Sequence, residues 1–189
     1  MLYILFNCYI IYKYHMLKKR GQIGVEVVVY TLIGLAIIAV VLATVTPKIK
    51  EYSDRAIIKQ TEDSLNSVDE TISAVQLASG NQREVNFRVR KGEIIINPRE
   101  DTIKFILKNS NLKYSQPNAT FSSGNVNILT ETATGGYNIT LMLNYTNNVN
   151  ITIDGAESDN IQLTSSPNLY KILIKYLGGS DRKIDIKQV

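Results

Sequence analysis

"KKRGQIGVEVVVYTLIGLAIIAVVLATVTP", Lys18 to Pro47, decides how the rest of the chain is read. Three basic residues and a glycine precede a long apolar run, and one carboxylate, Glu26, stands near its start. The 20 residues from 27 to 46 carry no charge. In a helix that length rises about 30 Å, the thickness of a bilayer's hydrocarbon core. An apolar run so long and without a polar face predicts a membrane-spanning helix over 23–46. Basic residues on one flank predict, by the positive-inside rule, a single-pass protein whose C-terminal part lies outside.

The upstream stretch "MLYILFNCYIIYKYH" has an apolar run from Leu2 to Tyr12. Eleven helical residues reach only about 16 Å, too short to span. Met16 follows, and a start there gives "MLKKRG", a compact basic leader. Met16 is therefore the expected start, with residues 1–15 upstream of it; the alternative is an interfacial extension carrying Tyr and Phe. A secretory signal places its small-residue cleavage site after the apolar core. Here Gly21 precedes that core and nothing like A-x-A follows it. The apolar segment is expected to stay in the mature protein.

"KKRG", then "QIGVE", then a long apolar helix resembles the archaeal type IV pilin precursors, which carry a class III (prepilin-type) signal peptide. Within that family the chain is most similar to the Q-x-S/G-x-E subgroup, because Gln22, Gly24 and Glu26 stand in register. The resemblance covers only Lys18 to Pro47. It implies cleavage between Gly21 and Gln22 by a prepilin peptidase, so that residues 1–21 are the leader. It implies partners as well: membrane lipid before assembly, then copies of the same chain or other pilin subunits in a surface filament. Archaellins share this architecture, but their apolar segment usually opens with a Gly-Ile-Gly-Thr-like run and lacks the glutamate.

Physical chemistry gives Glu26 a reason of its own. A carboxylate at the centre of a membrane helix costs roughly 2.5–3.5 kcal/mol, and less near the interface. The helix N-terminus offsets part of this, since its dipole favours negative charge. A nearby cation in low dielectric offsets more. Cleavage after Gly21 would make such a cation, the new α-amino group of Gln22. In a bundle of parallel helices Glu26 could pair with a neighbour's amine and set the axial register. The simpler alternative leaves Glu26 at the headgroup level without a partner.

Beyond Pro47, "KIKEYSDRAIIKQTEDSLNSVDETISAVQLAS" is rich in charge and helix formers. Ile58, Leu65, Val68, Ile72 and Val75 recur at helical spacing, one apolar stripe of an amphipathic helix. A long helix is expected over 22–79, stopped at Ser79-Gly80-Asn81. From 81 to 189 the period changes to two. "EVNFRVRKGEIII" predicts a β-hairpin turning at Lys91-Gly92. "TIKFIL", "NVNILTET", "YNITLMLNY", "VNITID", "LYKILIKYL" and "KIDIKQV" supply further strands. Seven to nine strands predict a β-sandwich or small barrel, so the fold class is α+β: a helical stalk followed by an all-β head.

Composition narrows the function. The only Cys is Cys8, the only His is His15, and there is no Trp. Downstream of residue 15 the usual bases, thiol nucleophile and zinc ligands are missing, which argues against an enzyme, a metal site or a cofactor. The chain has 21 basic and 17 acidic residues; residues 1–21 hold four of the basic ones, leaving 17 against 17. The basic excess belongs to the leader and gives no reason to expect nucleic-acid binding. Twelve Asn lie between Asn109 and Asn168. Four open N-x-[ST] sequons, at Asn118, Asn138, Asn144 and Asn150, and these are candidate glycosylation sites on an exported surface. An Asn-rich set of turns matching by composition is the competing reading. "DGAESDN", 154–160, does not fit the EF-hand pattern and reads as a hairpin loop, and "NPRED", 97–101, reads as a turn. The expected function is a pilus-like filament subunit with an outward β-domain suited to adhesion. The alternative is a single-pass, membrane-anchored surface glycoprotein whose β-domain binds a ligand.

Overall fold

The computed structural model describes residues 2–157 and 159–189, with side chains from Gly24 onward. The fold is α+β, as the change of period near residue 81 predicts. Among the described residues one helix, α1 (Leu2–Val75), precedes ten strands. The chain divides into two compact units, the first ending at Lys48 and the second running from Ile49 to Val189. The division falls one residue after Pro47, which lies inside α1 with helical backbone on both sides.

In the first unit, every large apolar side chain from Val25 to Val45 is exposed, by between 43% and 72%. Among the described residues this is the one helix long and apolar enough to cross a membrane. Its threonines would cost a membrane span little. The Thr31 hydroxyl donates to the Val28 carbonyl at 2.8 Å, and that of Thr46 to Leu42 at 2.7 Å. Such back-bonding is how a hydroxyl is satisfied where water is absent.

In the second unit, the stripe Ile58, Leu65, Val68, Ile72 and Val75 is buried at every position, 1% exposed or less. The helix stops at Val75. Gly80 then takes φ +87°, a left-handed conformation that favours glycine. Its N–H donates to the Tyr176 carbonyl at 2.8 Å, which ties the helix exit to the sheet it enters next.

The strands are β1 (Gln82–Phe87), β2 (Glu93–Asn97), β3 (Thr102–Ser110), β4 (Thr120–Ser123), β5 (Val126–Ala133), β6 (Gly136–Asn144), β7 (Asn150–Ile153), β8 (Ile161–Thr164), β9 (Tyr170–Gly178) and β10 (Lys183–Gln188). Among the described residues they form two sheets and no closed barrel. One is four-stranded, β1-β9-β10-β7, and the other six-stranded, β4-β5-β6-β3-β2-β8. Alternation along most of the strands points one face inward. Ile139, Leu141 and Leu143 of β6, Ile94 and Ile96 of β2, and Ile172 and Ile174 of β9 join the helix stripe in one core.

The expected hairpin at Lys91-Gly92 is not formed. β1 pairs antiparallel with β9, whereas β2 pairs with β3 and β8. The alternation correctly reported two half-buried strands, but period two gives a strand's faces and not its neighbour. Between the two, the chain crosses from one sheet to the other. Gly92 serves that crossing: at φ +82°, a Cβ would lie 2.6 Å from the Ile106 carbonyl oxygen and 2.9 Å from the Phe105 ring. "DGAESDN" is likewise a crossing and not a hairpin loop, since it joins β7 of the smaller sheet to β8 of the larger. "NPRED" is the turn expected of it, and it joins β2 to β3. Asn97 Oδ1 caps that turn, accepting from Arg99 N at 3.0 Å.

Candidate functional site

Glu26 is exposed on α1 at the entrance to the uncharged run. The cleavage pair, Gly21 and Gln22, lies outside the residues whose side chains are described, as do Cys8 and His15. From Gly24 to Thr46, Glu26 is the one charged side chain. The surface that follows has no cover within its own unit. An exposed apolar surface of this extent marks contact with lipid or with other protein.

The four sequon asparagines differ in what their side chains are doing. Asn118 is exposed with φ +61°, and its backbone N–H donates to Thr130 O at 2.8 Å. Asn144 is exposed at the end of β6. Its Oδ1 accepts from Thr146 N at 3.0 Å and from the Thr146 hydroxyl at 2.6 Å, and its amide nitrogen bonds nothing among the described residues. Asn138 is half-buried in β6, with Oδ1 accepting from Asn109 N at 3.1 Å. Asn150 is half-buried and its Nδ2 donates to Glu157 Oε1 at 3.0 Å. A glycan is transferred to the amide nitrogen, so Asn118 and Asn144 are the better placed and Asn150 the worst.

The acids of the 154–160 loop are not gathered around a common point. Asp154 pairs with Lys187 at 3.0 Å, and Glu157 accepts from Asn150. Among the described residues no three His, Cys, Asp or Glu side chains converge as metal ligands would.

A row of acids on the buried helix face escaped the reading of the apolar stripe. Asp54, Glu62 and Asp69 recur at spacings of eight and seven, and each accepts donors from the β-rich part of the unit. Asp54 is 2% exposed; it accepts from Lys91 Nζ at 2.6 Å and from the Ser110 hydroxyl at 2.6 Å. Glu62 accepts from the Ser123 hydroxyl at 2.7 Å. Asp69 accepts from Asn125 Nδ2 at 2.6 Å and the Tyr145 hydroxyl at 2.8 Å. Burial, reinforced by the Asp69 carboxylate, pushes the Tyr145 hydroxyl well above the usual tyrosine range. Tyr114 is pushed up in the same way, by burial and then by Glu62. The signal was present as three acids keeping the period of the apolar stripe, where a solvent-facing row would fall out of phase with it. Each acid has its partners, so the row fixes where the helix lies and offers no reactive group.

No family model matches the chain, and neither a curated protein nor a solved structure matches it.

Proposed function

We propose that this chain is a structural subunit of a type IV pilus-like surface filament, held in the membrane before assembly. The observation that carries this reading is the uncharged helical surface of 27–46 with one carboxylate at its entrance and a basic cluster just before it. A plain anchor needs the apolar length but gains nothing from Glu26, whose insertion is unfavourable. An assembling subunit does gain from it. After cleavage between Gly21 and Gln22, Glu26 of one copy pairs with the Gln22 amine of another, and the helices pack in fixed axial register. Lys18, Lys19 and Arg20 hold the leader in the cytoplasm, so the β-domain is outside, where Asn118 and Asn144 can accept glycans and the domain can serve adhesion.

The intact mass of the protein recovered from the cell surface tests the reading. The expected mass begins at Gln22, with glycans as increments above the mature chain. Cyclisation of Gln22 would appear in the same spectrum as loss of ammonia and would remove the amine that Glu26 is argued to meet. Glu26→Ala is expected to be cleaved normally yet excluded from filaments. Surface protein that still carries Lys18 to Arg20 overturns the proposal in favour of a membrane-anchored glycoprotein.

A further inference from the structure

Two depressions adjoin on the second unit, of about 530 and 310 Å³, and share Asn148, Val149 and Arg182. Both volumes fall in the range of small-ligand sites, roughly 300–1,000 Å³. The larger is bounded by the β2–β3 turn, the β6–β7 crossing and the β9–β10 turn. Val149 is the one apolar residue on it; the others include Asp101, Asn147, Asn148, Asp181 and Arg182.

Its backbone is unusual. Among the described residues six non-glycines have positive φ, and three of them line this depression: Asp101 at 51°, Asn147 at 68° and Arg182 at 47°. Asn and Asp tolerate that conformation, whereas an arginine has no such ease. Residues held this way cluster where a ligand is met. Much hydrogen-bonding capacity is also unspent. Arg182 Nη1 donates to Asn148 Oδ1 at 3.2 Å, and the other guanidinium N–H groups bond nothing among the described residues. Asn147 is exposed, and its side chain bonds nothing among them. Asp181 Oδ1 accepts from the Ser180 hydroxyl at 2.9 Å and Asp101 Oδ1 from Ile151 N at 2.8 Å, leaving each a second oxygen.

We propose that this trough binds a saccharide. An apolar ligand would find almost no apolar wall. A polyanion would meet Asp69, Asp101 and Asp181 against one cation, Arg182. A divalent cation would lack three converging ligands among the described residues. Sugar hydroxyls both donate and accept, and they suit a lining of carboxylate oxygens, amides and guanidinium N–H groups set side by side. Two joined depressions give room for more than one ring. The inference uses only residues of the second unit, so it stands apart from the filament reading: a chain that keeps its leader can still bind, and a filament subunit can fail to.

The test uses the full chain in a detergent without a sugar headgroup, made in a host that does not glycosylate, because Asn144 and Asn150 line the trough. Tetrasaccharides of N-acetylglucosamine, mannose and galactose are titrated by calorimetry, with inorganic phosphate as a control. At least one tetrasaccharide is expected to bind and phosphate is not. The doubly substituted chain, Asn147→Gly with Arg182→Gly, removes both side chains where glycine suits the backbone. It is expected to keep its melting temperature and to bind at least about tenfold more weakly, the equivalent of one lost hydrogen bond or more. The proposal is overturned if no tetrasaccharide binds at millimolar concentration, if the double substitution leaves binding unchanged, or if phosphate competes as well as the sugars.

Discussion

Tyr145 shows how one side chain serves the packing of the second unit. Tyr145 is 6% exposed and its hydroxyl donates to Asp69 at 2.8 Å, so the buried residue that follows β6 also secures the helix. Removing that hydroxyl leaves Asp69 with Asn125 alone. Tyr145→Phe is expected to cost about 1.5–3 kcal/mol at neutral pH, the range for a hydrogen bond to a charged group. The pH dependence has a definite sign. An unfolded tyrosine ionises near pH 10. Folded Tyr145 holds its proton to higher pH, because burial and the neighbouring Asp69 both oppose a phenolate. Between those two values the folded state keeps a proton that the unfolded state has lost, so the contribution is whole below about pH 10 and shrinks as pH rises above it. Denaturant unfolding from about pH 8 to about pH 12 checks this: the wild-type curve should fall more steeply than that of Tyr145→Phe, and the two should converge at the alkaline end. Parallel curves would mean that Tyr145 ionises as readily folded as unfolded.

At the scale of elements, the helical stripe was the most legible feature of the second unit. Five apolar positions at spacings of seven, three, four and three predicted the buried face, and all five are in the core. Leu65→Ala should therefore cost about 2–5 kcal/mol, whereas Leu77→Ala, just past the helix end and 84% exposed, should stay within about 0.5 kcal/mol. Paired thermal melts would separate the two, and similar losses would show that the stripe is not what docks the helix. The β elements were legible as strands but not as partners. β4 escaped notice because Thr120–Ser123 has mainly exposed residues and no alternation to read. β8, at Ile161–Thr164, offers only Ile161 and Leu163 in four residues. The pairing of β1 with β9 spans about half the chain and leaves no local mark, and β10 lies parallel to β7 with no hairpin between them. The trough was illegible for a related reason. Its residues come from three separate turns, and only the fold brings Asp101, Asn148 and Arg182 to one place.

At the scale of the whole molecule, the two units rest on different physics. The first has no buried apolar side chain among its described residues, and its helix satisfies its own backbone and threonines, so it needs an apolar surrounding to be stable. The second keeps its core to itself: every buried apolar residue, from Ile58 to Ile186, belongs to 49–189. The acid row and its donors, Lys91, Ser110, Ser123, Asn125 and Tyr145, also fall within it. A chain beginning at Ile49 should thus lose no core contact. It is expected to be soluble without detergent and to melt cooperatively. Its unfolding free energy should lie within about 1 kcal/mol of the value for the full chain in micelles, a shift of only a few degrees in Tm. The full chain without detergent should associate through the exposed 25–45 surface. Denaturant titration of both forms, read by β-sheet circular dichroism, gives the comparison. If the chain from Ile49 unfolds several kcal/mol more easily, the apolar helix supports the β-rich unit, and the separation of an apolar helix from a self-sufficient β-rich unit fails. If the values agree, the β-rich unit can diversify on its surface, trough included, without disturbing the apolar helix.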